Sequence, residues 1–171
     1  MGLFGAPFPR SDDAINSVKT AQGMLKSLGK LNSIRVKRGE FPIEIGIGIN
    51  TGEVVVGNIG SEKRMDYTVI GDAVNLAARL ESATKQYSAT LLISETTYEK
   101  ITEDMQKGFR KVDIVTAKGK TLPVSIYEGL GDNHPLLSQL EIWDEAIESY
   151  RNQEWVHAKE RFAEFLETTR F

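Results

Sequence analysis

The sequence has no cysteine. That excludes disulfide staples, thiolate metal centres and a catalytic thiol, so the fold must rest on burial and hydrogen bonding. Basic side chains are not in excess either: 21 Lys and Arg stand against 24 Asp and Glu, a formal net charge of -3. A general nucleic-acid binder needs a broad basic surface, so no nucleic-acid partner is expected, although a local basic pocket is compatible with this balance. No apolar run approaches the roughly 18 residues of a membrane-spanning helix, and MGLFGAPFPR lacks the basic region and the length of a secretory leader. A cytoplasmic chain is expected, with any membrane attachment left to a larger parent protein. What is present is a globular composition, 40% hydrophobic over 171 residues, which suffices for one core and a small appendage.

Periodicity orders the chain. Ala14, Ile15, Val18, Ala21, Leu25 and Leu28 recur at helical spacing in SDDAINSVKTAQGMLKSLGKLN, with Ser11 or Asp12 as its cap. Asn32 to Glu40 reads as a polar, basic connection. In FPIEIGIGIN, Ile43, Ile45, Ile47 and Ile49 alternate with Glu44, Gly46 and Gly48, the mark of a strand with one buried face and one nearly bare face. Asn50-Thr51-Gly52 supplies turn chemistry, so EVVVGNI is predicted to return as its hairpin partner. SEKRMDYTVIG reads as an extended arm and DAVNLAARLESATKQY as a second long helix capped by Asp72. TLLIS is a short strand, ETTYEKI a short helix, and FRKVDIV with LPVSIYEGL a terminal antiparallel pair. This order predicts an α+β layer with helices on one face of a mostly antiparallel sheet. After Gly129, GDNHP breaks the pattern. Trp143, Ala146, Ile147 and Tyr150, then Trp155, Ala158, Phe162 and Leu166, form two stripes around a bend near Asn152, which predicts a helical hairpin docked on the main domain or on further helices.

The glycine-rich GIGINTGEVVVGNIG fails the spacings of a nucleotide loop: no Gly-Lys-Ser/Thr follows, and Gly46, Gly48 and Gly52 miss the dinucleotide pattern. Those glycines permit a hairpin and close approach of another backbone, or else a ligand on the bare strand face. The polar pair Asn75 and Arg79, four residues apart, shares a helix face, with Val74, Leu76, Ala77, Ala78 and Leu80 as packing surface around it. Spacing alone is equally compatible with a solvated or capping pair. Thr68, on the strand leading into this helix, is near enough in sequence to face the same cavity. Arg79 offers phosphate a planar fork of donors. Lys118, in the turn Ala117-Lys118-Gly119-Lys120, is either a solvated turn residue or a point charge suited to a terminal phosphate.

DYTVIGDAVNLAARLE, preceded by INTGEVVVGNIGSEKRM and followed by VTAKGKTLPVSIYEG, resembles the catalytic domain of class III nucleotidyl cyclases, the adenylate and guanylate cyclases. The resemblance covers residues 1–129 and is most specific from Phe41 to Glu81. It implies the family's ferredoxin-like α+β fold, N-terminally incomplete, followed over residues 130–171 by an α-helical hairpin that resembles a single tetratricopeptide unit. It also implies a dimer, homodimeric or heterodimeric, with two sites at its interface, where two metal ions help convert a nucleoside triphosphate to a 3′,5′-cyclic monophosphate and pyrophosphate. Carried over by position, the catalytic residues are Asn75, orienting the ribose, and Arg79, stabilising charge on the α-phosphate. The substrate-binding residues are Thr68, at the purine-reading position, and Lys118, on the outer phosphates. A threonine there goes with adenine, so ATP rather than GTP is expected. Lys63 and Arg64 fall where the family's dimerisation arm passes the triphosphate.

The metal-binding aspartates of the family lie upstream of the segment that MGLFGAP resembles. Mg2+ or Mn2+ is therefore expected for a complete domain, with its ligands absent from this chain, and Asp72 belongs to the helix entry instead. The purine-reading lysine also falls upstream. The sequence predicts part of an adenylate cyclase with little or no activity as an isolated chain. The alternative is a non-catalytic partner that dimerises with an intact cyclase domain, or an interaction module whose helical tail binds another protein. A start placed too late and a broken gene are compatible with the same pattern.

Overall fold

The computed structural model describes residues 1–61, 64–116, 123–131 and 134–168 of the chain. In chain order the elements are α1 (Asp13–Lys37), β1 (Ile47–Ile49), β2 (Val55–Ser61), β3 (Arg64–Ile70), α2 (Asp72–Ala83), β4 (Leu91–Ser94), α3 (Glu95–Tyr98), α4 (Glu103–Gln106), β5 (Phe109–Thr116) and β6 (Pro123–Gly129). A 3-10 turn over Pro135–Gln139 leads to α5 (Leu140–Arg151) and α6 (Trp155–Thr168).

Ala14, Val18 and Ala21 of α1 are buried as their spacing predicts, but the helix does not stop at Asn32. Nothing from Asn32 to Lys37 breaks a helix, and Gly39 ends it. At φ 74° its N–H donates to Val36 O at 3.0 Å while Glu40 N–H donates to Arg35 O at 3.0 Å, the paired bonds of a left-handed helix stop. Neither Ser11 nor Asp12 caps the start by its side chain; Asp13 Oδ2 instead accepts from Arg10 N–H at 2.6 Å.

The main sheet has the order β1-β4-β6-β5. Its β1–β4 pair is parallel and its β4–β6 and β5–β6 pairs are antiparallel. The predicted β1–β2 hairpin is not formed. β2 pairs with β3 in a separate antiparallel arm, while β1 finds its partner more than forty residues along the chain in β4. The cause lies in burial: Ile47 and Ile49 of β1 pack against the cluster of Val18, Ala21, Leu91, Ile93 and Phe109, which places β1 at the edge of the main sheet beside β4 rather than beside β2. Alternation along β4 divides the core. Leu91 and Ile93 face α1, whereas Leu92 joins Leu76 and Leu80 of α2 and Ile126 of β6. Helices therefore cover both faces of the sheet rather than one, within the α+β class. Each fully buried Leu or Ile here contributes about 1.5–3 kcal/mol relative to exposure.

The bare face of β1 is the seat of α2. A Cβ on Gly48 would meet Glu81 N and Ala77 O and lie 2.8 Å from Leu80 C, and one on Gly46 would meet the Thr84 hydroxyl. Close backbone approach explains the glycines, and the approaching backbone is a helix. The C-terminal helices form the predicted hairpin, with Ala146, Ala158 and Phe165 buried between them. Phe165, not the predicted Leu166, completes the second stripe; Leu166 is exposed. Trp143 packs on Phe162 and Phe165, donates from Nε1 to Lys111 O of β5 at 2.7 Å, and lies 4.4 Å beneath the Arg110 guanidinium. That guanidinium also pairs with Glu128 at 2.6 Å. The hairpin thus docks on the β5 edge of the sheet.

Candidate active site

The site is built on α2, which is held at three places. Its inner face, Leu76 and Leu80, is buried against Leu92 and Ile126. Its first turn is held by Asn50 at the end of β1: Asn50 Nδ2 donates to Ala73 O at 3.0 Å, and Asn50 Oδ1 accepts from Thr96 Oγ1 at 3.1 Å. Thr96 Oγ1 lies also 2.8 Å from Thr51 O, and Thr51 Oγ1 lies 2.9 Å from Thr97 Oγ1, so the 50–52 segment is tied to α3. Beyond the C-terminus of α2, Tyr87 OH donates to Asp113 Oδ2 of β5 at 2.5 Å. Burial, followed by that bond and the charge of Asp113, pushes the Tyr87 hydroxyl up to about 12.

Three fixed points leave the outer face of α2 free to present side chains. Asn75, Ala78, Arg79 and Ser82 are all exposed on it. Ala78, predicted to pack, lies on this open face because it is three residues beyond Asn75 and one before Arg79. Among the described residues the side chain of neither Asn75 nor Arg79 has a hydrogen-bond or ionic partner, and a shallow depression beside Arg79 is lined by Ala78, Ser82, Ala83 and Gln86. Neither Asn75 nor Thr68 is on its wall. The predicted helix cap is not made: Gly71 is the N-cap, and Asp72 begins the helix, where its charge favours the N-terminus without capping it.

Thr68 is half-buried on β3, opposite Gly57 of β2. Lys118 and Lys63 lie outside the described residues, and Arg64 opens β3. Sequence reasoning missed Asn50, which it took only as turn chemistry, and Ser82 and Gln86. The last two were legible as the i+3 and i+7 neighbours of Arg79 on one helix face.

These features have relatives. The family profile described as the adenylate and guanylate cyclase catalytic domain matches residues 1–129. The chain belongs to this family. It is 43% identical over 127 residues to the terminal-differentiation specific adenylate cyclase of Dictyostelium discoideum, covering 72% of this chain and 6% of that one. With the adenylate cyclase of Anabaena cylindrica it shares 38% identity over 120 residues, 69% of this chain and 24% of that one. The crystal structure of a guanylyl cyclase superposes with a TM-score of 0.61 at 43% identity, covering 77% of this chain and 66% of the other. The adenylyl cyclase CyaB from P. aeruginosa gives 0.64 at 38%, covering 74% and 64%. This cyclase-family chain therefore spans a small part of its curated relatives and somewhat under two thirds of CyaB.

Class III cyclases use Mg2+ or Mn2+. Among the described residues no group of three or more His, Asp or Glu side chains is placed to hold a metal ion, so these side chains do not fit that cofactor.

Proposed function

We propose that this cyclase-family chain supplies one side of an adenylate cyclase site, serving the conversion of ATP to 3′,5′-cyclic AMP and pyrophosphate in intracellular signalling. The observation that carries this reading is the exposed, unpartnered Asn75 and Arg79 pair on the outer face of α2. In the reaction the ribose 3′-oxygen attacks the α-phosphorus of the same molecule. One P–O bond forms as the bond to pyrophosphate breaks. No covalent help from protein is needed, so positioning and charge neutralisation dominate. Asn75 has a donor and an acceptor for the ribose. Arg79, always charged, offers a planar fork to the α-phosphate as negative charge gathers there. Thr68 would read the purine with a hydroxyl that both donates and accepts, and Lys118 would hold the outer phosphates. ATP is favoured over GTP by the threonine at position 68 and by the two relatives named as adenylate cyclases.

The chain would work as a homodimer or heterodimer through residues 1–129, with residues 130–171 as a tetratricopeptide-like unit open to a protein partner. Because the described residues do not fit a metal, the isolated chain is expected to form little or no cyclic AMP. That absence of a fitting carboxylate cluster also favours a second reading, a non-catalytic partner of an intact cyclase domain.

The test mixes the purified chain with an intact cyclase domain disabled at its own Asn and Arg positions, with ATP and Mg2+ or Mn2+. Cyclic AMP formation should appear on mixing, and Arg79→Ala in this chain should lower it about a hundredfold or more. Binding without activity would favour the interaction module instead. Robust activity of the chain alone would sink the one-sided site.

A further inference from the structure

Burial and the Tyr87–Asp113 bond hold the inner face and the far end of α2, but neither fixes where its first turn stands. Apolar burial is non-directional, so Leu76 and Leu80 set the depth of the helix more than its position along its axis. The directional contact is Asn50. Its Nδ2 donates to Ala73 O at 3.0 Å, and Gly52 brings the same segment so near that a Cβ there would lie 2.8 Å from Ala73 Cβ. Asn75 and Arg79 follow Ala73 by two and six residues, about 3 and 9 Å along the axis.

The Asn50 amide has one orientation open to it, and the hydroxyls behind it then have one order. Ala73 O can only accept, so Nδ2 faces it and Oδ1 faces Thr96. Thr96 Oγ1 must therefore donate, sharing its single proton between Asn50 Oδ1 at 3.1 Å and Thr51 O at 2.8 Å. Ser94 Oγ, 2.9 Å from Thr96 Oγ1, donates to it in turn. By the same count Thr97 Oγ1 donates to Ser94 Oγ at 3.2 Å, and Thr51 Oγ1 to Thr97 Oγ1 at 2.9 Å. The chain of bonds leaves the Thr51 hydroxyl and returns to the Thr51 carbonyl. Ser94 and Thr97 are fully buried, at the end of β4 and in α3, so this ring is anchored in the core and its members polarise one another in one sense. Among the described residues Asn50 is the member that carries the ring to α2.

We propose that Asn50 is a positioning residue for the adenylate cyclase site: through Ala73 O it sets the first turn of α2, and with it the placement of Asn75 and Arg79. This rests on the reading of α2 as one side of that site. A ribose and an α-phosphate must be held in line for the 3′-oxygen to attack, so a small displacement of the turn that presents both side chains lowers turnover without preventing ATP from binding.

The test has two arms. The first uses the chain alone and compares the parent with Asn50→Ala and Asn50→Asp by site-resolved amide exchange. Aspartate nearly matches asparagine in shape and still accepts from Thr96, but its carboxylate has no proton for Ala73 O. In both variants the amides of residues 74–77 should exchange about tenfold faster, with β4 and β6 unchanged, and the side-chain amide signal of Asn75 should shift. The second arm measures kcat and KM for ATP in the mixture with a cyclase domain disabled at its own Asn and Arg positions. Asn50→Ala should lower kcat about tenfold to a hundredfold and move KM by less than about threefold. Combined with Arg79→Ala it should add little to the loss from Arg79→Ala alone, because one residue acts through the other's placement. Exchange that is unchanged, or faster throughout the chain, would overturn the proposal. So would an Asn50→Asp chain that behaves like the parent, or losses that multiply in the double variant. If the parent mixture forms no cyclic AMP while exchange and shift respond as expected, the one-sided site falls and the positioning of α2 by Asn50 stands.

Discussion

A single missing side chain decides where α2 lies. Gly48 lets the helix backbone rest on β1, and Gly48→Ala should cost about 1–3 kcal/mol, read as a lower urea midpoint. The control is Gly29→Ala, in the middle of α1 with nothing near its Cβ position; it should be neutral or stabilising by up to about 1 kcal/mol. If both substitutions behave alike, α2 is not seated as described. The glycines of β1 showed in the sequence that something had to come close, but not what, because a bare strand face is the same signal for a hairpin, a helix or a ligand. Asn75 and Arg79 were legible as a pair from their spacing alone. Asn50 was not, because its role depends on Ala73 O and Thr96, which are brought to it by two other elements.

Elements were readable where their instructions are local. The buried stripe of α1, the short β4, the β5–β6 pair and the bend near Asn152 all follow from patterns within a few residues. That bend is another left-handed stop, with Gln153 at φ 62° and Glu154 N–H donating to Ser149 O at 2.9 Å; without a glycine, it gives only a polar cluster as its signal. Pairing partners were the unreadable part. β2 follows β1 through a turn-like sequence, yet β1 needs a neighbour on its own layer of the core, and that neighbour is β4. The junction of α2 with β5 lends itself to a pH test. An unfolded tyrosine ionises near its ordinary 10.0, whereas Tyr87 is raised to about 12 by burial and by Asp113, so folding favours its neutral form. Its contribution is intact below pH 10 and is lost as pH climbs from 10 to 12. Tyr87→Phe should destabilise the protein by about 1 kcal/mol at neutral pH, and the gap to the parent should close over that interval in denaturant titrations. The other raised tyrosines, Tyr98 and Tyr127, are common to both proteins and cancel in the difference. A gap that persists unchanged at high pH would contradict the assignment.

At the scale of the whole molecule, family membership follows from residues 1–129, while the charge map is particular to this chain. The composition alone reads as mildly acidic, with a sequence pI of about 5.5. That average conceals a segment from 14 to 39 with six positive charges and no negative ones, so the remainder of the chain has a net charge of -9 if the total is -3. Charges separated in this way are not interchangeable with a uniform surface of the same total. The prediction is chromatographic: at pH 7 and low salt the folded chain should be retained on a cation exchanger as well as on an anion exchanger. Lys30→Glu with Lys37→Glu should abolish only the first retention. Failure to bind the cation exchanger would mean that the basic helix is masked in solution. Its practical consequence concerns purification and crowding alike, since the isoelectric point, the usual guide to how a protein will behave beside charged neighbours, describes no face that this molecule actually presents.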